Sequence, residues 1–504
     1  MSEYIFRRSR GSLPRAWRLV AAFSWQEWLP FILPLLLYGL TLAPTIYNLD
    51  SAELTTAVAS NGIIRATGYP LYLVLGKVWS WLPLGDMGYR MNLFSAVCGA
   101  VTIWLADRIL RRWQVGAWAR WGAIGLLATA PYMWAMSLIA EVYTLHTALM
   151  AGVVSSLLWW GERPSPWRLA LPLFLMALSM GNHAATVLLI PGCVWYVLTR
   201  QPRLLVQWRT WVVGGTAVAL GLTVFLILPY RYGQMPAFNY AGTYDANGQF
   251  HPVNLQTWAG FWWLISGKSF SGQMFGYTIA SMWPEVGHFV AQLWNAFFVI
   301  GIGPGLLGIA VISRRDWRLG GMLALMFCAN AIFYINYRVV DKDTMFLPAY
   351  LIWALWLGIG YDALLKWLWA DVSARRFVWV GRTMIAGAVL LALAWNWSLV
   401  DRSDDWGTRQ RSEDILAHAE PNAIIFGWWE TVPGVQYLQL VEGQRPDVLV
   451  INRFLIGGNE MNQLILRELG QRPIYINNPS IELLRVAKVT PVGPLYLLEP
   501  RDGS

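Results

Sequence analysis

Eleven stretches of this sequence are apolar for long enough to cross a lipid bilayer, and nothing else in the chain restricts its fold as strongly. A helix crossing the ~30 Å hydrocarbon layer needs roughly 20 mostly apolar residues and must satisfy its backbone polar groups internally. The stretches are 27–46, 88–109, 119–137, 143–160, 167–182, 184–199, 210–229, 289–312, 320–336, 345–365 and 380–399, of which the fifth and sixth are short. With 56% hydrophobic and 13% charged residues over 504 positions, the chain is neither a cytosolic globular enzyme nor a disordered or fibrous protein. Its net charge of +9 would suit nucleic acid, but Lys and Arg never form a dense tract with interleaved polar residues. No nucleic-acid partner is expected. Cys98, Cys193 and Cys328 each lie in an apolar run, so no disulfide or zinc framework is expected.

The charge excess reads as an orientation signal. The N-terminal segment 1–26 carries Arg7, Arg8, Arg10, Arg15 and Arg18, and the apolar run after it lacks a small-residue cleavage site, so it is expected to stay as the first span. With this segment in the cytoplasm, 21 Lys and Arg fall on the inner side and seven on the outer side before residue 401. That asymmetry follows the positive-inside rule. An odd number of spans then places residues 401–504 outside. The inner turns are short and basic, whereas the outer side carries long connections at 47–87 and 230–288, so function is expected on the outer face of the plasma membrane. The transmembrane domain is read as 27–400. No internal repeat is visible.

The segment 401–504 changes in composition. Residues 423–427 and 447–452 read as buried parallel strands, with a helix over 432–441 between them and a second helix over 460–469. Short strands are expected at 473–477 and 495–499. This is a small α/β domain outside the membrane.

Uncommon polar residues gather at the outer ends of the spans. Asp50, Glu53, Arg65, Tyr69 and Arg90 come from the first outer loop, and Glu141, Tyr143 and His146 from the start of the fourth span. Asn182 and His183 lie between the fifth and sixth, and Arg338, Asp341, Lys342 and Asp343 between the ninth and tenth. Ionisable groups at one membrane depth are a functional signal. Each also has a structural reading. Asp50 can cap a helix running to about Ile64, with Glu53 closing a capping box, and that role is compatible with a base because a helix N-terminus favours a carboxylate. Glu141 and His146 can cap their span, a lone His183 can be structural, and the 338–343 charges can form a network of their own. The 32 Trp read mainly as interfacial belt and packing.

The stretches Leu49-Asp50-Ser51-Ala52-Glu53-Leu54, Ala66-Thr67-Gly68-Tyr69-Pro70-Leu71-Tyr72 and Arg90-Met91-Asn92-Leu93-Phe94-Ser95-Ala96 resemble a bacterial family catalogued as domain of unknown function 2723. Glu141-Val142-Tyr143-Thr144-Leu145-His146, Gly181-Asn182-His183 and the 437–448 stretch support the match, which covers residues 30–200 firmly and the remainder loosely. One departure is Ala66-Thr67, where the family shows His-Pro-Pro. That family is similar to protein O-mannosyltransferases and to the GT-C glycosyltransferases. The resemblance implies a GT-C-like bundle of about eleven transmembrane helices with a small C-terminal α/β domain outside the membrane. It also implies an enzyme that moves a sugar, mannose by family likeness, from a polyprenyl-phosphate donor to a protein or glycan hydroxyl with inversion.

The resemblance puts the catalytic base on Asp50, with Glu53 a second acidic contact. The leaving phosphate needs positive charge but no general acid. Arg338 and Lys342 are the first candidates for that clamp, with Arg90 and Arg65 behind them. Tyr69, Glu141, His146, Asn182 and His183 are candidate substrate contacts. No set of carboxylates or histidines has metal-ligand spacing, so a metal-independent enzyme is expected. The segment 69–84 is expected to lie in the membrane interface beside the lipid. The rival readings are a transporter or flippase, a glycan polymerase or ligase, and a non-catalytic scaffold.

Overall fold

The computed structural model describes residues 25–298, 300–339, 341–481 and 483–501. The five N-terminal arginines used for the orientation lie outside them. Among the described residues six helices are long and apolar enough to cross a membrane: Met87–Arg112, Val142–Glu162, Trp208–Gly233, Trp317–Ile335, Lys342–Ala370 and Arg376–Val400. Leu29–Leu40, Pro166–Met180 and Ala184–Arg200 are shorter apolar helices. The protein is a multi-pass helical membrane protein.

Two expected spans are not single helices. The 119–137 stretch divides into Ala117–Thr129 and Pro131–Met136, with Ala130 in extended backbone, because a proline disfavours helical geometry in the residue before it. The 289–312 stretch breaks between Ile279–Ala296 and Ile302–Arg315. Phe298 has a positive φ of 47° there, and the glycine- and proline-rich run from Gly301 to Gly305 is a poor helix interior. The 230–288 connection is therefore partly helical at its end.

The Leu347–Ala370 helix is buried along its first four turns and forms the axis of the bundle. Glycines let Ile302–Arg315 lie almost in backbone contact with it. A Cβ at Gly308 would meet the Trp356 carbonyl oxygen at 1.8 Å, and one at Gly360 the Pro304 carbonyl oxygen at 1.8 Å. Close approach at small residues replaces the hydrophobic drive that helices lack inside lipid. By contrast, Trp208–Gly233 and Arg376–Val400 expose most of their apolar surface, as lipid-facing helices do.

The two ends of the bundle differ. At one, buried Asp107 pairs with Arg111 and with Arg120 at 3.3 Å, Arg112 with Glu162 at 3.3 Å and Arg108 with Glu27 at 2.8 Å. At the other lie the first loop, the 230–288 connection and the C-terminal region. The connection carries a hairpin of β1 (Gly242–Tyr244) and β2 (Phe250–Pro252).

The C-terminal region holds a five-stranded sheet of β3 (Ile424–Gly427), β4 (Leu449–Asn452), β5 (Ile474–Ile476), β6 (Ala487–Val492) and β7 (Leu495–Pro500). The order is β4-β3-β5-β7-β6, with β3 parallel to β4 and β5, and β7 antiparallel to β5 and β6. Period-two alternation sends Ile425, Val450 and Tyr475 to the face packed by the Val432–Glu442 helix, and Ile424, Phe426, Ile451 and Ile476 to the face packed by Gly458–Glu468. The sequence reading lacked β6, the β1–β2 hairpin and the Gly407–His418 helix, all polar or too short to show a period.

Candidate functional site

The first loop folds back on itself to build the site. A left-handed Leu49, φ 55°, starts the Asp50–Ala59 helix, with Asp50 as its first residue. The helix ends five residues short of Ile64, and Asn61, φ 55°, reverses the chain. Gly62 passes so near the next element that a Cβ would meet the Phe238 carbonyl oxygen at 2.7 Å. Ile63 donates its N–H to Phe238 and accepts from Tyr240, both at 2.9 Å, which fixes the return. Arg65 thereby comes to lie beside the helix start.

Arg65 holds both acids. Its Nη2 donates to Asp50 Oδ1 at 2.6 Å and Oδ2 at 2.5 Å, its Nη1 to Glu53 Oε2 at 3.0 Å, and its backbone N–H to Glu53 Oε1 at 3.2 Å. The capping box expected from the sequence does not form, and no side chain caps this helix. Both carboxylates turn to Arg65 instead, where they meet a full opposite charge. Glu53 is buried, and burial pushes its carboxyl up to about 7 against the pull of Arg65, with the Asp50 charge adding to the rise. The other face of the guanidinium is covered from the C-terminal region by the Trp429 ring, 4.2 Å from the Arg65 carbon, and more distantly by Phe270 at 6.0 Å.

A buried aromatic and imidazole cluster lies alongside. The His183 ring centre is 5.2 Å from that of His146, 5.8 Å from Tyr143 and 6.0 Å from Tyr69. His183 Nδ1 accepts the Ala185 N–H at 3.2 Å, so the histidine also caps the turn that follows it. Asn182 donates to the Val142 carbonyl at 3.0 Å, and the Glu141 N–H to Ser95 Oγ at 3.0 Å. Glu141 Oε2, His146 Nδ1 and Asn182 Oδ1 are buried and have no hydrogen-bond partner among the described residues. Asp341, exposed in part to the surface, belongs to the same neighbourhood: desolvation by the surrounding protein raises its carboxyl, and the Asp50 charge adds to that.

The expected cations are deployed differently. Arg90 donates to the carbonyls of Ser80 at 2.7 Å, Leu84 at 3.1 Å and Gly85 at 3.2 Å, which spends its guanidinium on shaping the loop before the second span. Buried Lys342 pairs with Glu285 at 2.6 Å, donates to the Ile335 carbonyl at 3.3 Å and lies 4.7 Å from the Tyr277 ring centre. Arg338 is exposed, without an ion pair among the described residues. Lys342 and Arg338 thus do not act as one clamp in this geometry. Glu285, His288 and Gln292 were missed by the sequence reading. They share one face at three- and four-residue spacing, a signal divided between a stretch read as loop, which holds Glu285 and His288, and one read as a span, which holds Gln292. Among the described residues no group of three His, Cys, Asp or Glu side chains is placed to hold a metal ion.

The helical bundle under a small α/β region is a GT-C-like fold. ArnT from Cupriavidus metallidurans shares it, with TM-scores of 0.58 bound to undecaprenyl phosphate (13% identity) and 0.59 in the apo state (14% identity); both alignments cover 95% of this chain and 98% of ArnT. In sequence, residues 50–206 match the family described as the protein O-mannosyl-transferase TMEM260 N-terminal domain. The chain is 20% identical over 470 residues to protein O-mannosyl-transferase tmem260 of Dictyostelium discoideum, and 23% identical over 448 residues to protein O-mannosyl-transferase TMEM260 of Mus musculus. These alignments cover 84% and 82% of this chain but only 56% and 61% of the two relatives, both eukaryotic.

Proposed function

We propose that this chain is a membrane glycosyltransferase that moves a sugar, mannose by likeness to its relatives, from a polyprenyl-phosphate donor to a protein hydroxyl, with Asp50 as general base. The observation that carries the reading is the Asp50–Arg65–Glu53 arrangement at the first residues of the matched stretch 50–206. The ArnT structure with undecaprenyl phosphate supports a lipid-phosphate donor on this fold. The excess of cations at the opposite end of the bundle supports a site on the outer face of the plasma membrane, with the N-terminus inside.

In an inverting displacement the acceptor oxygen attacks the anomeric carbon, the bond to the phosphate oxygen breaks, and the acceptor proton passes to Asp50. Arg65 gives Asp50 a fixed counter-charge, and Glu53 retains the guanidinium once Asp50 has taken the proton. The phosphate leaves as an anion, and of the four cations expected from the sequence, exposed Arg338 is the one whose side chain has no partner among the described residues and can meet it. The unpaired atoms of Glu141, His146 and Asn182 suit sugar hydroxyls, with Tyr69 and His183 beside them. Transport is less well supported, since these groups gather at one end of the bundle and not midway on repeated halves.

The test supplies membranes containing wild type or Asp50→Asn with polyprenyl-phosphate-linked radiolabelled mannose and counts label in protein and lipid fractions. Wild type is expected to label protein, and the variant to lose about 10²- to 10⁴-fold of that rate at unchanged expression. Equal labelling by both would refute the role of Asp50.

A further inference from the structure

The C-terminal sheet reaches the acids at the end of the bundle through Trp429, whose ring centre lies 4.2 Å from the Arg65 guanidinium carbon. From β3 the chain crosses to β4 on one side, then from β4 past β3 to β5 on the other, and the two connecting helices lie on opposite faces. Such a reversal leaves a crevice at the carboxyl ends of the strands, where open α/β sheets bind their ligands. Trp428, Trp429 and Glu430 follow β3, Arg453 and Phe454 follow β4, and Asn477 follows β5.

These residues form a rim with unmet hydrogen-bonding capacity. Phe454 is 63% exposed although its ring meets Trp428 edge-on at 5.0 Å and Trp429 at 5.5 Å. Asn477 is buried at 3% exposure; its Nδ2 donates to Thr431 Oγ1 at 3.2 Å and Glu430 Oε1 at 3.3 Å, and its Oδ1 has no partner among the described residues. Arg453 stacks on Trp428 at 4.2 Å and donates to the carbonyls of Asn477 at 3.0 Å and Asn478 at 3.2 Å, leaving its Nε unpaired. With its guanidinium committed and the Glu430 carboxylate adjacent, the rim is ill suited to a phosphate. An exposed aromatic face at the mouth, with an enclosed amide acceptor still lacking a donor behind Arg453, is suited to a polypeptide, which brings both side chains and N–H groups. Trp429 closes the connection, touching Phe454 on one side and Arg65, the partner of Asp50, on the other.

We propose that this crevice, at the carboxyl ends of β3, β4 and β5, binds the acceptor polypeptide and presents its hydroxyl to Asp50. The inference rests on the glycosyltransferase reading, and its test separates the two. Full-length protein in nanodiscs is assayed with polyprenyl-phosphate mannose against a Ser/Thr peptide carrying a benzophenone. Phe454→Ala and Trp428→Ala are expected to raise the peptide KM about five- to ten-fold while the donor KM and the thermal midpoint stay at wild-type values. Leu466→Ala, on the exposed flank of the Gly458–Glu468 helix, serves as the unchanged control. Without donor, light is expected to attach the peptide within residues 427–455, and Phe454→Ala to abolish the attachment. Transfer with an unchanged peptide KM and attachment elsewhere would overturn the crevice assignment, as would protection by a soluble glycan but not by unlabelled peptide. Attachment at 427–455 in a protein that transfers no sugar would overturn the enzymatic reading and leave the peptide site standing.

Discussion

Arg65 serves two carboxylates at once, and the two are not equivalent. Asp50 retains some contact with solvent and takes both of its bonds from one guanidinium nitrogen, whereas Glu53 is almost fully enclosed and also takes the backbone N–H. A buried carboxyl whose folded value is raised from 4.5 to about 7 contributes stability at low pH that is lost as pH rises through that interval. The wild-type thermal midpoint is therefore expected to fall relative to that of Glu53→Gln between pH 4.5 and about 7, with a constant gap above. Parallel melting series in detergent check this. At this scale the sequence was informative for the acids: Asp50, Glu53 and Arg65 lie within 16 residues, so local pattern exposes them. It was uninformative for Lys342, whose partner Glu285 is 57 positions away, and for Trp429, one tryptophan among 32.

The helix Ile279–Ala296 brings polar residues into the site end of the bundle that a straight span would have left in lipid. Through it Glu285 reaches Lys342, His288 Nε2 approaches Asp343 at 3.1 Å, and Gln292 accepts the Tyr350 hydroxyl hydrogen at 3.3 Å. Lys342→Ala leaves Glu285 without its counter-ion. The expected cost is about 2–3 kcal/mol, below the ~3–5 kcal/mol of a fully buried pair because Glu285 keeps part of its surface in water. The double variant Lys342→Met/Glu285→Leu is expected to recover most of it, measured by thermal unfolding, with donor binding little changed throughout. Hydrophobic run length located most of these helices, since crossing a bilayer leaves little choice of structure. The breaks at Ala130 and between Ala296 and Ile302 escaped that reading because an apolar run stays apolar across a kink; Pro131 and the glycine- and proline-rich run from Gly301 to Gly305 hint at them.

For the molecule as a whole, the arrangement of charge sets a direction that labelling can read. Cys98 and Cys193 are buried and Cys328 lies on the lipid-facing flank of a span, so the native thiols are out of reach of a membrane-impermeant maleimide. On that background Glu460→Cys is expected to label in intact cells and Arg203→Cys only after permeabilisation; the reverse pattern would invert the orientation. The C-terminal region is held to the bundle at several separate places. The Tyr240 hydroxyl donates to Gln436 at 2.5 Å, Arg467 donates to Ala246 and Asn247, Arg409 reaches Asp86 at 3.4 Å, and Tyr244 bridges to Ile456. The covalent link after Val400 is thus one tie among many. A chain cut between residues 401 and 406 is expected to migrate as a single particle in mild detergent, and its two pieces, made separately in one cell, to find each other and restore the whole.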